Sequence, residues 1–288
     1  MTRTDPLPAA GRLDVVATPI GNLSDLSPRA RDALAQAHLI AAEDTRRTAQ
    51  LLHAIGVSSK LISLHDYNEQ GRTEALVQQL RAGKIIALVS DAGTPLLSDP
   101  GFALVRAVSA AGILVRAIPG PSALTAALSI AGLATDRFAF EGFLPARAAV
   151  RRAAIERLLH EPRTLVFFEA PHRIAATLAD LAQVLGEERQ AVIARELTKL
   201  HETIYRGTLG ELLAQSQHEL DMARGEITLV VSGLMQKAAV VGDTQLLTRA
   251  LQLLLGELPP ARAAAIASQL AGCKRSEAYE LALRMRSQ

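Results

Sequence analysis

Residues 87–101 read "ALVSDAGTPLLSDPG". Ala87, Leu88 and Val89 have the character of a buried strand, and the chain then breaks into Ser90, Asp91, Ala92, Gly93, Thr94 and Pro95. A second turn of small residues follows at Ser98, Asp99, Pro100 and Gly101. An apolar strand that opens into small and polar residues is what the carboxyl edge of an α/β sheet offers a ligand.

The same pattern recurs on both sides of that stretch. The runs "LDVVAT", "LIAAE", "KLISLH", "KIIALVS", "LVRAI", "RFAFEGF", "TLVFFE", "QAVIARE" and "EITLVVS" read as strands. Segments of helical period separate most of them. "SPRARDALAQA" offers Ser27 as a cap and Pro28 at the first helical position, and Gly83 closes "GRTEALVQQLRAG". The alternation predicts an α/β fold with mainly parallel strands. Pro119, Gly120 and Pro121 interrupt it, which sets an N-terminal α/β domain at 13–121 and a second at 122–235. From Thr244 the periodicity is helical alone, so 244–288 reads as a small three-helix unit, and 1–12 as a flexible leader.

A chain of 288 residues, 49% hydrophobic and 21% charged, has ample material for packed cores. Lys and Arg total 31 against 29 Asp and Glu, so any basic footprint for nucleic acid has to be local. Arg147, Arg151 and Arg152 in "ARAAVRR" and the arginines of the last helix are the places for one; a solvated helix face is the plainer reading of the first. An aromatic fraction of 3% without Trp argues against extensive base stacking. The single Cys273 forms no intramolecular disulfide, no Cys/His spacing suggests a metal, and no segment reads as a membrane span, so a cytoplasmic protein is expected.

The residues that follow the strands are Thr18 to Asn22, Glu43 to Arg46, His65 to Glu69, Ser90 to Pro95, Pro119 to Ser122, Glu169 to Arg173 and Arg195 to Lys199. Each cluster has a plain alternative as turn chemistry, helix capping or a solvated charge group. Their coincidence on one edge argues for a site. No G-x-G-x-x-G follows a strand, and neither a P-loop nor a G-x-S-x-G elbow is present, which removes ordinary dehydrogenase, NTPase and hydrolase readings.

"TPIGNLSDLSPRA", "AAEDTRRT", "LHDYNE", "SDAGTPLLSDPG", "PGPSA", "DRFAFEGFLP", "FEAPHR", "ARELTKLHET" and "GEITLVVSG", in this order, closely resemble the bacterial 16S ribosomal RNA cytidine 2′-O-methyltransferase family. That family belongs to the tetrapyrrole-methylase-like class of S-adenosylmethionine enzymes. The resemblance implies two α/β domains with a cofactor cleft between them, a homodimer, and as acceptor a cytidine of 16S rRNA within the 30S subunit near the decoding centre. By resemblance, Asp91, Ala92, Gly93 and Thr94 form one cofactor-contacting loop and Ser122 and Ala123 a second, with Pro19 beside them and with Phe168 and the "ITLVV" strand as walls from the second domain.

A ribose hydroxyl needs a proton acceptor, for which Glu43, Asp44, His65, Asp66, Glu69 and Glu196 are available. The expected catalytic group is Glu43, Asp44, Arg46 and Lys199, with Asn22, His65, Asn68, Arg147, Arg173 and Glu196 on the substrate. Many members of the family it resembles carry a lysine and a glycine after "GFLP"; here Arg147 stands in "PARAAVRR" with neither, which keeps a charge for phosphates on a loop that departs from the family pattern. The helical unit has the size of an RNA-docking module or of a dimerisation appendage. Two other functions stand beside the leading one: methylation of a non-RNA acceptor on the same scaffold, and a ribosome-assembly factor without catalysis.

Overall fold

The computed structural model describes residues 11–234 and 244–286. Five strands, β1 (Arg12–Val16), β2 (Leu39–Ala42), β3 (Leu61–Ser63), β4 (Ile85–Val89) and β5 (Leu114–Ile118), form a first sheet in the order β3-β2-β4-β1-β5. All its pairings are parallel. Such a sheet must be covered on both faces, because helical crossovers lie on each. Strand alternation divides the apolar residues accordingly. Leu39, Ala41, Ile86 and Leu88 face one cluster, which holds α3 (Glu69–Arg81) and α4 (Phe102–Ala110). Ile40, Ala42, Ala87 and Val89 face the other, with α1 (Pro28–Gln36) and α2 (Thr45–Ala54). Ser27 caps α1 by accepting from the Ala30 N–H at 3.1 Å, with Pro28 first in the helix.

The second sheet contains β6 (Phe138–Phe143), β7 (Thr164–Glu169), β8 (Gln190–Arg195), β9 (Thr203–Thr208) and β10 (Ile227–Val231) in the order β6-β7-β10-β8-β9. One face buries Leu165, Phe167, Ile193 and Leu229 under α6 (Ala148–Glu156), α7 (Ile174–Leu185) and α8 (Leu209–Ser216). The other face buries Val166, Val192 and Val230 under α5 (Ala123–Ala131).

Two features differ from the sequence expectation. β6 and β7 are parallel, but β7-β10, β10-β8 and β8-β9 are antiparallel, so mainly parallel pairing is confined to the first sheet. β9 is an additional strand. Its partner α8 begins with a capping box in which Thr208 accepts from the Glu211 N–H while the Glu211 side chain accepts from the Thr208 N–H. Thr208→Ala is expected to cost about 1 kcal/mol in denaturant unfolding.

Contacts divide the chain into units Met1–Gly233 and Leu234–Gln288. In the latter, α9 (Thr244–Leu254), α10 (Pro260–Ala271) and α11 (Arg275–Arg286) pack through Leu247, Leu251, Ala263, Ala264, Ala267, Ala278 and Ala282. Alanines at the seams let the helix backbones approach closely. The end of the proposed second domain at 235, the connecting segment up to 243, residues 1–10 of the proposed leader, and the last two residues of the helical unit lie outside the described residues. No described helix is long and apolar enough to cross a membrane.

Candidate active site

β4 lies between β2 and β1, and the helices that follow β2 and β4 cover opposite faces. Connections that leave adjacent strands in opposite directions open a crevice at the carboxyl edge. A cavity of about 440 Å³ lies there, within the size range of small-molecule sites. Its floor comes from the loops after β1, β2, β4 and β5.

Backbone bonds fix those loops to one another. Thr18 and Gly93 exchange N–H to carbonyl bonds of 2.9 and 3.0 Å. The Asp91 N–H donates to Glu43 Oε2 at 3.2 Å, and Asp91 Oδ1 accepts from the Asp44 N–H at 2.9 Å, a reciprocal latch between the β2 and β4 loops. Arg47 adds an ion pair to Asp91 at 3.4 Å. Thr94 Oγ1 donates to the Pro121 carbonyl at 3.1 Å and ties in the loop before α5. α5 begins at the cavity with Ser122 as N-cap and no side-chain cap bond, so its first N–H groups and the positive end of its dipole face the cavity edge.

Burial pushes the Glu43 carboxyl up, against the pull of the Asp91 N–H, and the neighbouring Asp91 and Asp66 carboxylates add to the rise. Asp99, also in the cavity wall, is held at about 6, first by burial and then by Glu43, Asp91 and Asp66, while a hydrogen bond from Ser90 opposes them.

The second sheet supplies the opposite wall through Phe143, Phe168, Ala194, Ile227 and Thr228. The Phe168 ring meets Phe140 and Phe143 edge-on, at 4.9 and 5.7 Å between centroids. Glu169 beneath it is buried and accepts from Thr177 Oγ1 at 2.6 Å and the Ala170 N–H at 2.7 Å, with Arg173 paired at 3.2 Å. After β8, Lys199 bridges Glu196 at 2.8 Å and Glu226 at 3.1 Å. Burial pulls the Lys199 ammonium down, but the two carboxylates outweigh it and hold it above its ordinary value. Among the described residues, the non-glycine residues with positive φ are Leu96, Ser98, Glu196 and Thr198, all in two loops at this cavity. Strained backbone of this kind gathers where a surrounding structure enforces it for function.

The Tetrapyrrole (Corrin/Porphyrin) Methylases family matches residues 12–213, and the RsmI C-terminal HTH domain family matches 242–286. "Ribosomal RNA small subunit methyltransferase I" of Xylella fastidiosa (strain Temecula1) is 51% identical over 93% of this chain and 98% of its own length. The protein of the same name from Escherichia coli O157:H7 is 48% identical over 95% of each. The chain belongs to the ribosomal RNA small subunit methyltransferase I family. Among solved structures, the methyltransferase CobJ superposes with TM-score 0.58 at 20% identity, over 78% of this chain and 95% of that one. Uroporphyrin-III C-methyltransferase from Thermus thermophilus gives 0.55 at 21%, over 77% and 94%. These likenesses show the tetrapyrrole-methylase fold, α/β in two sheets, to which this chain adds the C-terminal helices matched by the second family.

In this family member the cavity gathers Glu43, Asp91, Ala92, Gly93, Thr94, Ser122, Ala123 and Phe168 from the residues singled out in the sequence. Pro19 adjoins the lining residue Ile20. Asp44 caps α2 and pairs with Arg46 at 2.7 Å, which holds its carboxyl at about 2, so the half-buried carboxylate and the exposed guanidinium are committed to each other. Glu196 and Lys199 reach the cavity through Glu226, and Arg173 stands behind the wall with Glu169. Asn22 caps the short helix Leu23–Asp25. Asn68 accepts from the His65 N–H and meets His65 Nε2 at 3.0 Å, bracing that loop. Glu69 accepts from the Leu104 N–H at 2.9 Å and so serves the start of α4. Arg147 stands exposed at the head of α6.

Arg151 departs from the expected basic footprint. It is 4% exposed and pairs with Asp180 at 2.7 Å. The sequence reading also missed Arg47, Asp99 and the wall from β6 and β8, whereas the "ITLVV" strand, β10, lies in the wall as expected through Ile227 and Thr228. Asp99 carried a signal, the second small-residue turn; the wall residues of β6 and β8 carried none, because packing alone decides which strand face meets the cavity.

Proposed function

We propose that this chain transfers a methyl group from S-adenosylmethionine to the 2′-hydroxyl of a cytidine in 16S rRNA near the decoding centre, acting in the cytoplasm as a homodimer on the 30S subunit. Kinship along nearly the whole chain carries the reading: relatives named for small-subunit ribosomal RNA methylation match at 51% and 48%. On this reading the layers 13–121 and 122–235 are the two walls of the cofactor cleft, and 244–288 is a separate helical unit.

The residues present suit the cofactor. Gly93, at φ +80 with Ile20 Cγ2 only 3.2 Å from where a Cβ would stand, lets backbone line the cavity. The start of α5 at Ser122 and Ala123 offers N–H donors to a carboxylate, and Asp91 and Glu43 favour a nearby cation. Ile20, Leu97 and Phe168 exclude water around an apolar ring face. S-adenosylmethionine supplies an electrophilic methyl group on a positively charged sulfur. Pro19 and Thr94 complete the cofactor side. On this reading Glu43 serves the reacting side with Asp44, Arg46 and Lys199 near it, Asn22, His65, Asn68, Arg147 and Glu196 serve the RNA, and Arg173 acts through Glu169 from behind the wall. Desolvation and alignment strengthen each of these contacts in a displacement that must be in line.

The test is methyl transfer from labelled S-adenosylmethionine to unmodified 30S subunits, followed by nuclease digestion. Labelled 2′-O-methylcytidine is the expected product. Cofactor binding without transfer to the subunit would overturn the acceptor assignment.

A further inference from the structure

Tyr67 is the most exposed large apolar side chain among the described residues, with its whole surface open to solvent. It stands in the loop between β3 and α3, at the carboxyl edge of the first sheet. An aromatic ring on a loose tip would call for no explanation. This tip is pinned. The Asn68 and Glu69 N–H groups both donate to the His65 carbonyl at 2.9 Å, and Asn68 Oδ1 accepts from the His65 N–H at 2.9 Å. Asn68 Nδ2 reaches His65 Nε2 at 3.0 Å, and the buried Glu69 carboxylate takes the Leu104 N–H at 2.9 Å. The turn is thus closed on itself and tied to α4, and the two residues left at its tip, Asp66 and Tyr67, are exposed. The His65 ring meets Tyr67 edge-on with centroids 6.1 Å apart, so the flat faces of the phenol stay uncovered.

The loop stands beside the cavity without lining it. The parallel order β3-β2-β4 sets it next to the loop after β2, which carries Glu43 into the cavity. By strand spacing alone it lies roughly 10 Å from the loop after β4. The Asp66 carboxylate is near enough to Glu43 to help raise its carboxyl. These acids narrow the partner, because they repel a phosphate at the tip. A protein surface would want an apolar patch, whereas the exposed residues around Tyr67 in the chain, Asp66 and Gln70, are polar. A neutral, planar nucleobase suits an isolated aromatic face. Phosphates have a place one loop over, at the head of α2. There the Arg46 and Arg47 side chains are 88% and 64% exposed, and each spends only part of its guanidinium on a carboxylate.

We propose that Tyr67 is a stacking platform for one base of a single-stranded RNA segment, belonging to a nucleotide beside the acceptor rather than to the acceptor itself. The inference rests on the methyl-transfer reading above and names a contact that seats the RNA at the cavity mouth. Unpaired RNA is recognised in this way, with bases splayed onto aromatic rings. A single platform agrees with a chain of 3% aromatic content and no Trp. A ring held ready by a pinned loop loses little freedom on binding, so most of the stacking energy appears as affinity. His65 and Asn68 act on the RNA through the loop they brace.

Single-turnover methylation over a range of 30S concentrations gives the half-saturating concentration and the maximal rate, and calorimetry gives the cofactor affinity. Tyr67→Ala should raise the half-saturating concentration about 5- to 150-fold. Its maximal rate and cofactor affinity should stay within about threefold of the natural chain. Tyr67→Phe keeps the ring and should match the natural chain; Tyr67→Leu keeps bulk without a flat face and should resemble Tyr67→Ala. A half-saturating concentration for Tyr67→Ala within about twofold of the natural value overturns the proposal. So does a Tyr67→Phe variant as weak as Tyr67→Ala, a Tyr67→Leu variant as tight as the natural chain, or a loss confined to rate or cofactor affinity. Should Tyr67→Ala fail to fold, the contrast between Tyr67→Phe and Tyr67→Leu decides. A photoreactive phenylalanine analogue at position 67, irradiated on unmodified 30S subunits, should attach the chain to 16S rRNA. Attachment to ribosomal protein alone overturns the nucleobase as partner. Crosslinking does not require transfer, so a natural chain that attaches to 16S rRNA yet methylates nothing overturns the functional reading and leaves the RNA contact standing.

Discussion

Asp180→Ala is expected to lower the unfolding free energy by about 3–5 kcal/mol. Asp180 on α7 and Arg151 on α6 are both buried, with side-chain exposures of 8% and 5%, and meet at 2.7 Å. Asp180 also takes Arg152 at 3.3 Å, while Arg151 donates a further bond to the Ala146 carbonyl at 3.2 Å. Removing the carboxylate leaves a guanidinium out of water with one carbonyl for company, and that uncompensated charge makes the loss large. Urea unfolding followed by circular dichroism should show a lower midpoint with an unchanged slope. The double variant Arg151→Met with Asp180→Leu removes both charges and should recover most of the loss. A single variant within about 1 kcal/mol of the natural chain would mean that the site opens to water.

The same pair shows where the sequence is silent. "ARAAVRR" presents three arginines in seven residues, and nothing local tells which one turns inward. The answer depends on an aspartate 29 positions on, brought over by the packing of α6 against α7. β9 escaped notice for a different reason. The connection from β8 runs through "ELTKLHE", without the Gly, Pro or Asn that usually announce a reversal. The chain turns there on Glu196 and Thr198 at φ of 53° and 66°, residues that carry no turn signature. With that strand unseen, the antiparallel character of the second sheet was also out of reach.

The site was more legible than the second sheet. Its floor is built from residues that directly follow strands, and the position of a ligand at that edge is a property of the fold class. Its far wall comes from strand interiors, where the side chain that meets the cavity is fixed by how the second sheet lies over α5. Sequence order therefore identified Asp91, Gly93 and Ser122 and named the "ITLVV" strand as a wall, and it left to the structure which residues of that strand face the cavity, together with Ala194.

Gly93→Val carries the largest expected effect on ligand binding. Gly93 has φ +80, where a β-branched residue pays about 1–3 kcal/mol in backbone strain. Its new Cβ would stand 3.2 Å from Ile20 Cγ2 and 3.8 Å from the Pro121 carbonyl, an overpacking of about 1–3 kcal/mol. The two bonds to Thr18 prevent the loop from relaxing while it remains docked on β1. Relief therefore comes from breaking the Thr18–Gly93 bridge, which carries the neighbouring Asp91 away from the Asp44 N–H. A combined penalty of about 4 kcal/mol corresponds to a roughly 1000-fold loss of S-adenosylmethionine affinity, because the ligand must restore the strained loop in order to bind. Calorimetry measures the affinity, and circular dichroism checks that the variant is folded. Both sheets have cores apart from this loop, so the fold should survive what the site does not. Unchanged affinity in a folded variant would show that the loop tolerates a side chain and that the cofactor lies elsewhere.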